Sequence, residues 1–216
     1  MTSQPQSDQA QSPHPDRPES WHRYEPLIMA HDVGHVRDRS TAVVGGGSPF
    51  QSSVLGILDL RELPQRLYGS ARASALAAVD RHYNSNALIV ADLSNEASYG
   101  EFLFETFGPR VIGMQITRRG DGMNVERRPV GHGAMLVYTI GRTNLIDYFH
   151  SLMTNDMVRM VKGPDSERAF AQFANLQAEM RESGQVYTCL PGQYDDLAIS
   201  CCMLAWAYRH PHLRSW

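Results

Sequence analysis

The chain has 216 residues, 42% of them apolar and 20% charged, with a formal net charge of -3, which suits one sizeable core in a single soluble domain. No apolar run approaches the roughly 20 residues that span a bilayer and the start lacks the basic and apolar segments of a signal peptide, so a cytoplasmic protein is expected. The acidic balance argues weakly against a nucleic-acid binder, although acidic metal ligands mask local basic surface in such a sum.

Three cysteines, Cys189, Cys201 and Cys202, are odd in number and lack CxxC spacing, which argues against a disulfide framework or a zinc site. Residues 1–25 are rich in Ser, Gln, Pro and Asp without apolar periodicity, the composition of a disordered tail or linker. Pro26 to Val44 reads as a β-hairpin: an apolar run from Leu27 to Ala30 delivers Asp32, Gly34 and a charged turn follow, and a second apolar run closes it. Gly45 to Pro49 is expected to be a loop and Ser53 to Leu60 a third antiparallel strand.

A helix is expected from Pro64, with Leu67, Ala71, Ala75, Val79 and Tyr83 as its apolar ridge and Arg66, Arg72 and Arg81 off it. Ala87 to Ala91 is a continuous apolar run, the pattern of a strand buried on both faces, and it ends in Asp92. Ser98 with Glu101 has the spacing of a capping box for a helix that stops at Gly108-Pro109, and Val111 to Thr117 reads as a strand. The polar stretch from Arg118 to Gly133 gathers Arg118, Arg119, Arg127 and Arg128 into a local basic surface. Beyond it the pattern gives a strand over Ala134 to Thr139, a helix over Thr143 to Met153, a short strand over Met157 to Val161 and a helix over Ser166 to Arg181. The last helix, from Asp195 to about Tyr208, is apolar on nearly every side and so belongs in the core. This order of elements describes an α/β domain with a mixed central sheet and helices on both faces, spanning residues 26–210, with 211–216 as a C-terminal tail.

Asp32, Asp92 and the pair Asp195-Asp196 all lie where an apolar element begins or ends. Strand ends and helix starts favour Asp for local reasons. A second charge at the head of a buried helix is costly without a use, however. Mg²⁺ and Mn²⁺ take oxygen ligands from a few carboxylates on rigid elements, and two such ions about 4 Å apart activate water for phosphoryl displacement.

The stretches LIMAHDVGHVRDRSTAVV, ALIVADLSN and GQYDDLAISCCMLAWA, in this order, resemble the nuclease domains of phage large terminases over roughly Pro26 to His210. That resemblance implies a ribonuclease H-like fold, a two-ion Mg²⁺ or Mn²⁺ site held by Asp32, Asp92 and Asp195 or Asp196, double-stranded DNA as substrate, and an ATPase domain or subunit, portal and small terminase as partners. Tyr194 stands where many of these proteins have His, and Leu93-Ser94-Asn95-Glu96 where many have a glycine-rich turn. No GxxxxGK[ST] loop occurs, so the chain carries no ATPase half.

Another ribonuclease H-like nuclease, a junction resolvase or transposase relative, shares the same carboxylate logic. A docking module of the packaging machinery shares the fold without catalysis. The pair His31-Asp32 also fits the HD motif of metal-dependent phosphohydrolases, but that motif sits on helices and this pair follows a strand pattern.

Overall fold

The computed structural model describes residues 24–34, 39–48, 50–51, 53–118, 123–181, 184–190, 193–210 and 213. Three antiparallel strands form the expected meander, β1 (Leu27–Asp32), β2 (Thr41–Gly47) and β3 (Leu55–Glu62). Helix α1 (Gly69–Arg81) leads to β4 (Leu88–Asp92), and α2 (Tyr99–Phe107) leads to β5 (Val111–Thr117). Then come β6 (Asn124–Val130), β7 (Gly133–Gly141), α3 (Arg142–Thr154), β8 (Val158–Met160) and α4 (Pro164–Ala174). A hairpin of β9 (Leu176–Arg181) and β10 (Gly184–Cys189) precedes α5 (Asp196–Arg209).

Eight strands make one mixed sheet in the order β6-β7-β5-β4-β1-β2-β3-β8, while β9 and β10 pair only with each other. Strands β1, β4, β5 and β7 run parallel, so their carboxyl ends share one edge. The core is split between the two faces of the sheet. Ile28, Ala30, Leu88 and Val90 pack beneath α3 and α5, and Met29, Ile89 and Ala91 pack against α1 and α2. This alternation is the period of two expected of strands buried on both sides. Helix α5 lies in the middle of the first layer, buried from Leu197 to Tyr208 as its apolar sequence requires.

Several expectations need correction. The glycines expected to form a loop belong to β2, because backbone presses on them: a Cβ on Gly45 would collide with the Gly56 carbonyl and one on Gly46 with that of Pro26. Helix α1 begins at Gly69 rather than Pro64, since Arg66 takes a positive φ of 62° that breaks a helix started at Pro64. Its buried face is Arg72, Ala73, Leu76, Val79 and Asp80, one residue round from the predicted ridge, and Ala71 is exposed. Ser98 makes no side-chain cap because it is already in the helical region. The predicted helix over Ser166 to Arg181 stops at Ala174 and is followed by β9, and the polar stretch from Arg118 to Gly133, assigned no element, contains β6.

Of the proposed N-terminal tail only Tyr24 and Glu25 are described, and the Tyr24 ring lies against Gly56. Of the proposed C-terminal tail only Leu213 is described, and it is buried against the α5 layer.

Candidate active site

The register of β1 on β4 sets His31 beside Ala91, which leaves Asp32 and Asp92 side by side at the shared carboxyl edge. Both continue the alternation of the residues beneath α5, so both carboxylates belong to that face. The first turn of α5 is tied to the same place. Thr41, the register partner of Asp32, donates from Oγ1 to the Asp196 carbonyl at 3.2 Å and shares a 2.7 Å hydrogen bond with Ser200 Oγ. Ser200 Oγ in turn accepts the Asp32 backbone N–H at 3.2 Å. Gln172 of α4 accepts the otherwise open Ala198 N–H at 3.0 Å.

Asp32, Asp92, Asp195 and Asp196 thereby line one cavity of about 640 Å³. The same cavity is lined by basic and hydroxylic side chains, Arg118 from the end of β5, Arg142 and Thr143 from the start of α3, and Arg181 and Thr188 from the hairpin. Asp92 is buried, and its Oδ1 accepts hydrogen bonds from the Ser94 backbone N–H at 2.8 Å and from the Ser94 hydroxyl. Burial raises the Asp92 carboxyl above the usual carboxylate range, against the pull of those bonds and of the nearby Arg142 charge. Asp195 occupies the N-cap position of α5 but makes no cap hydrogen bond. Its Oδ2 is engaged instead by Arg142 and by the Cys189 thiol, the latter at 3.0 Å. Among the described residues, no three His, Cys, Asp or Glu side chains converge tightly enough to hold an ion as they stand.

The expected basic surface is divided. Arg118 is at the cavity, whereas Arg127 and Arg128 lie on β6, the outermost strand of the sheet, with Arg128 paired to Glu126 at 2.6 Å. Arg119 lies outside the described residues.

Comparison with solved structures places the chain beside two phage proteins. The large terminase nuclease of the thermophilic phage G20c superposes with a TM-score of 0.59 at 16% identity, covering 85% of this chain and 82% of that one. The large terminase (g2p) nuclease domain of bacteriophage SPP1, solved with bound Mn, gives 0.52 at 15% identity over 85% of this chain and 86% of that one. The fold is ribonuclease H-like, that of large-terminase nuclease domains. No family model matches the sequence, and no curated protein matches it.

Within this terminase-nuclease fold, the sequence pointed to the acids and passed over four of their neighbours. Arg142 follows the apolar strand β7 and opens α3, the same arrangement that marks Asp32 and Asp92, and its position was the available signal. Ser94, Arg181 and Thr188 carried none, because the first sits in a turn, the second ends a stretch that reads as helix, and the third lies on the strand paired with it.

Proposed function

We propose that this chain is a divalent-metal-dependent endonuclease for double-stranded DNA, the nuclease part of a viral or prophage DNA-packaging terminase. The supporting observation is the convergence of Asp32, Asp92 and the Asp195-Asp196 pair on one cavity in a fold shared with terminase nucleases. The donor set suits Mg²⁺ or Mn²⁺: all four groups are hard carboxylate oxygens, carried by strand ends and a helix start. Asp32, Asp92 and Asp195 or Asp196 would hold the metal, Asp195 being paired with Arg142 in its absence. A pair of such ions, when bound, supplies an activated water and stabilises the leaving oxygen of a phosphodiester.

The chain's own residues orient and bind. The two bonds from Ser94 fix the rotation of the Asp92 carboxylate, and the bonds of Ser200 to Thr41 and to the Asp32 N–H hold the start of α5 against β2 and β1. Arg118, Arg181, Thr143 and Thr188 line the cavity with the acids, where they contact DNA phosphates without reading sequence. Arg127 and Arg128 extend the basic surface along β6. The ATPase motor, portal and small terminase are the partners on this reading, and the bacterial host cytoplasm is its place of work. No helix among the described residues is long and apolar enough to cross a membrane.

The test is plasmid cleavage by the purified chain in Mn²⁺, Mg²⁺ and EDTA, with Asp32→Asn and Asp196→Asn variants in parallel. Cleavage in Mn²⁺ or Mg²⁺, absent in EDTA and reduced at least about a hundredfold in each variant, is expected. Cleavage that persists in EDTA, or survives Asp32→Asn unchanged, rejects the metal assignment. A second reading, a docking module of the packaging machinery without catalysis, draws support from the carboxylates not yet converging on one point. It predicts no cleavage in any condition.

A further inference from the structure

We propose that Arg142 couples metal binding to phosphate binding, pairing with Asp195 in the metal-free cavity and turning to a DNA phosphate once the acids take up metal. The inference rests on the metal-dependent reading above. Arg142 is the first residue of α3, so its backbone is fixed at the sheet edge that carries the acids and its side chain alone has to move. Its guanidinium holds Asp195 Oδ2, and the two side chains are only 26% and 17% exposed. The same charge acts on the Asp92 carboxyl and on the Cys189 and Cys202 thiols, which sets it among the acids rather than at the rim.

The other cavity arginines are placed differently. Arg181 pairs with Glu179 on its own strand at 2.7 Å, and Arg118 is exposed. Arg142 is therefore, among the described residues, a cation that holds one cavity acid directly and acts on a second in the absence of metal. A divalent ion competes with it for them and repels it, and a half-buried guanidinium that loses its carboxylate needs another anion. Its planar fork of N–H donors matches a phosphate. The Cys189 thiol, on the same Asp195 oxygen, keeps that oxygen partnered after Arg142 leaves.

Two titrations on the full chain test this. Mn²⁺ binding is followed by loss of the free-ion paramagnetic resonance signal, and binding of a labelled duplex is followed by anisotropy in EDTA and in Ca²⁺. Wild type is expected to bind the duplex about tenfold more tightly in Ca²⁺ than in EDTA, within the usual range of coupling between sites. In Arg142→Gln, Mn²⁺ alone binds more tightly than in wild type while the gain in duplex affinity on adding Ca²⁺ shrinks. A merely structural role lowers both affinities, so the opposite signs are diagnostic.

Arg142→Lys keeps the charge and loses the fork, so it retains wild-type Mn²⁺ affinity with reduced duplex coupling, and it carries the test if thermal melts show Arg142→Gln unfolded. Mn²⁺ affinity in Arg142→Gln equal to or below wild type overturns the coupling alone. Failure of wild type to bind Mn²⁺ in a manner lost in Asp32→Asn overturns the nuclease reading with it.

Discussion

His31 and Asp32 are consecutive in sequence, yet the strand sends them to opposite faces of the sheet, which is why they cannot serve one ion as an HD pair. His31 is fully buried among the α1 and α2 residues, its Nδ1 donating to the Thr41 carbonyl at 2.7 Å and its ring edge-on to Tyr99 at 5.7 Å. Its Nε2 has no hydrogen-bond partner among the described residues, and Arg72 of α1 stands nearby with its guanidinium 5.0 Å from the centre of the Tyr99 ring. Burial chiefly, with Arg72 adding and the Thr41 bond opposing, lowers the His31 pKa from 6.5 to about 4. The unfolded chain therefore binds a proton that the folded chain refuses between these values. The stability tied to neutral His31 is complete above pH 6.5 and lost as pH falls toward about 4, a total of about 3 kcal/mol. Denaturant unfolding at pH 7 and pH 4.5 in EDTA measures this. Wild type is expected to lose about 2 to 3 kcal/mol more than His31→Gln, which lacks the titrating group. Equal losses in the two proteins would show that His31 is not held neutral.

Elements were legible where the sheet buries both faces of a strand or a helix is apolar all round. Leu27–Asp32, Leu88–Asp92 and the helix from Asp196 carry that pattern, and the acids stand at their ends, so the acidic half of the site could be read directly. Strand β9, Leu-Gln-Ala-Glu-Met-Arg, consists of good helix formers that β10 draws into a hairpin, and its cost in propensity is repaid by pairing that no local window reveals. Strand β6 bonds to β7 alone, is solvent-exposed along most of its length and admits Pro129 as an edge strand can, so it lacks the alternation that marks a buried strand. Arg72 fooled the helical ridge in another way: it is buried through hydrogen bonds to the Gly34 and Leu67 carbonyls and an ion pair with Glu96. Such long-range partners have no local spacing. The glycines of β2 make the clearest test at this scale. If Gly45 is there because the Gly56 backbone presses on it, Gly45→Ala should destabilise the domain by about 2 kcal/mol, seen as a lower denaturant midpoint with unchanged slope. A loop role would leave the midpoint where it is.

Across the whole molecule, a net charge of -3 coexists with a basic wall because the charges are sorted by position. Several other arginines are already committed to acids on the surface: Arg39 to Glu62, Arg159 to Asp156 and Arg168 to Asp165. Those ion pairs cannot release counterions from DNA without first breaking. The arginines at the cavity, Arg118, Arg142 and Arg181, come from the end of β5, the start of α3 and the hairpin, and line the same opening as the acids. A duplex laid across that opening meets a short line of cations and is otherwise repelled by the protein's net charge. Binding should therefore be weakly salt-dependent for a DNA enzyme. Each phosphate neutralised contributes roughly 0.9 to the slope of log K against log salt, so the three cavity arginines predict a slope of about -3 in Ca²⁺ once Arg142 and Arg181 have left Asp195 and Glu179. Arg118→Ala should reduce the magnitude by about 0.9, and Arg127→Ala with Arg128→Ala measures how far the path continues along β6. Arg128 is already paired with Glu126, so a loss near 0.9 for this double variant would mean that Arg127 alone touches phosphate. An unchanged slope would confine DNA to the carboxyl edge of the sheet. A slope far steeper than -3 that survives all of these substitutions would move the duplex to a different face of the molecule, and the acids of the cavity would lose their substrate.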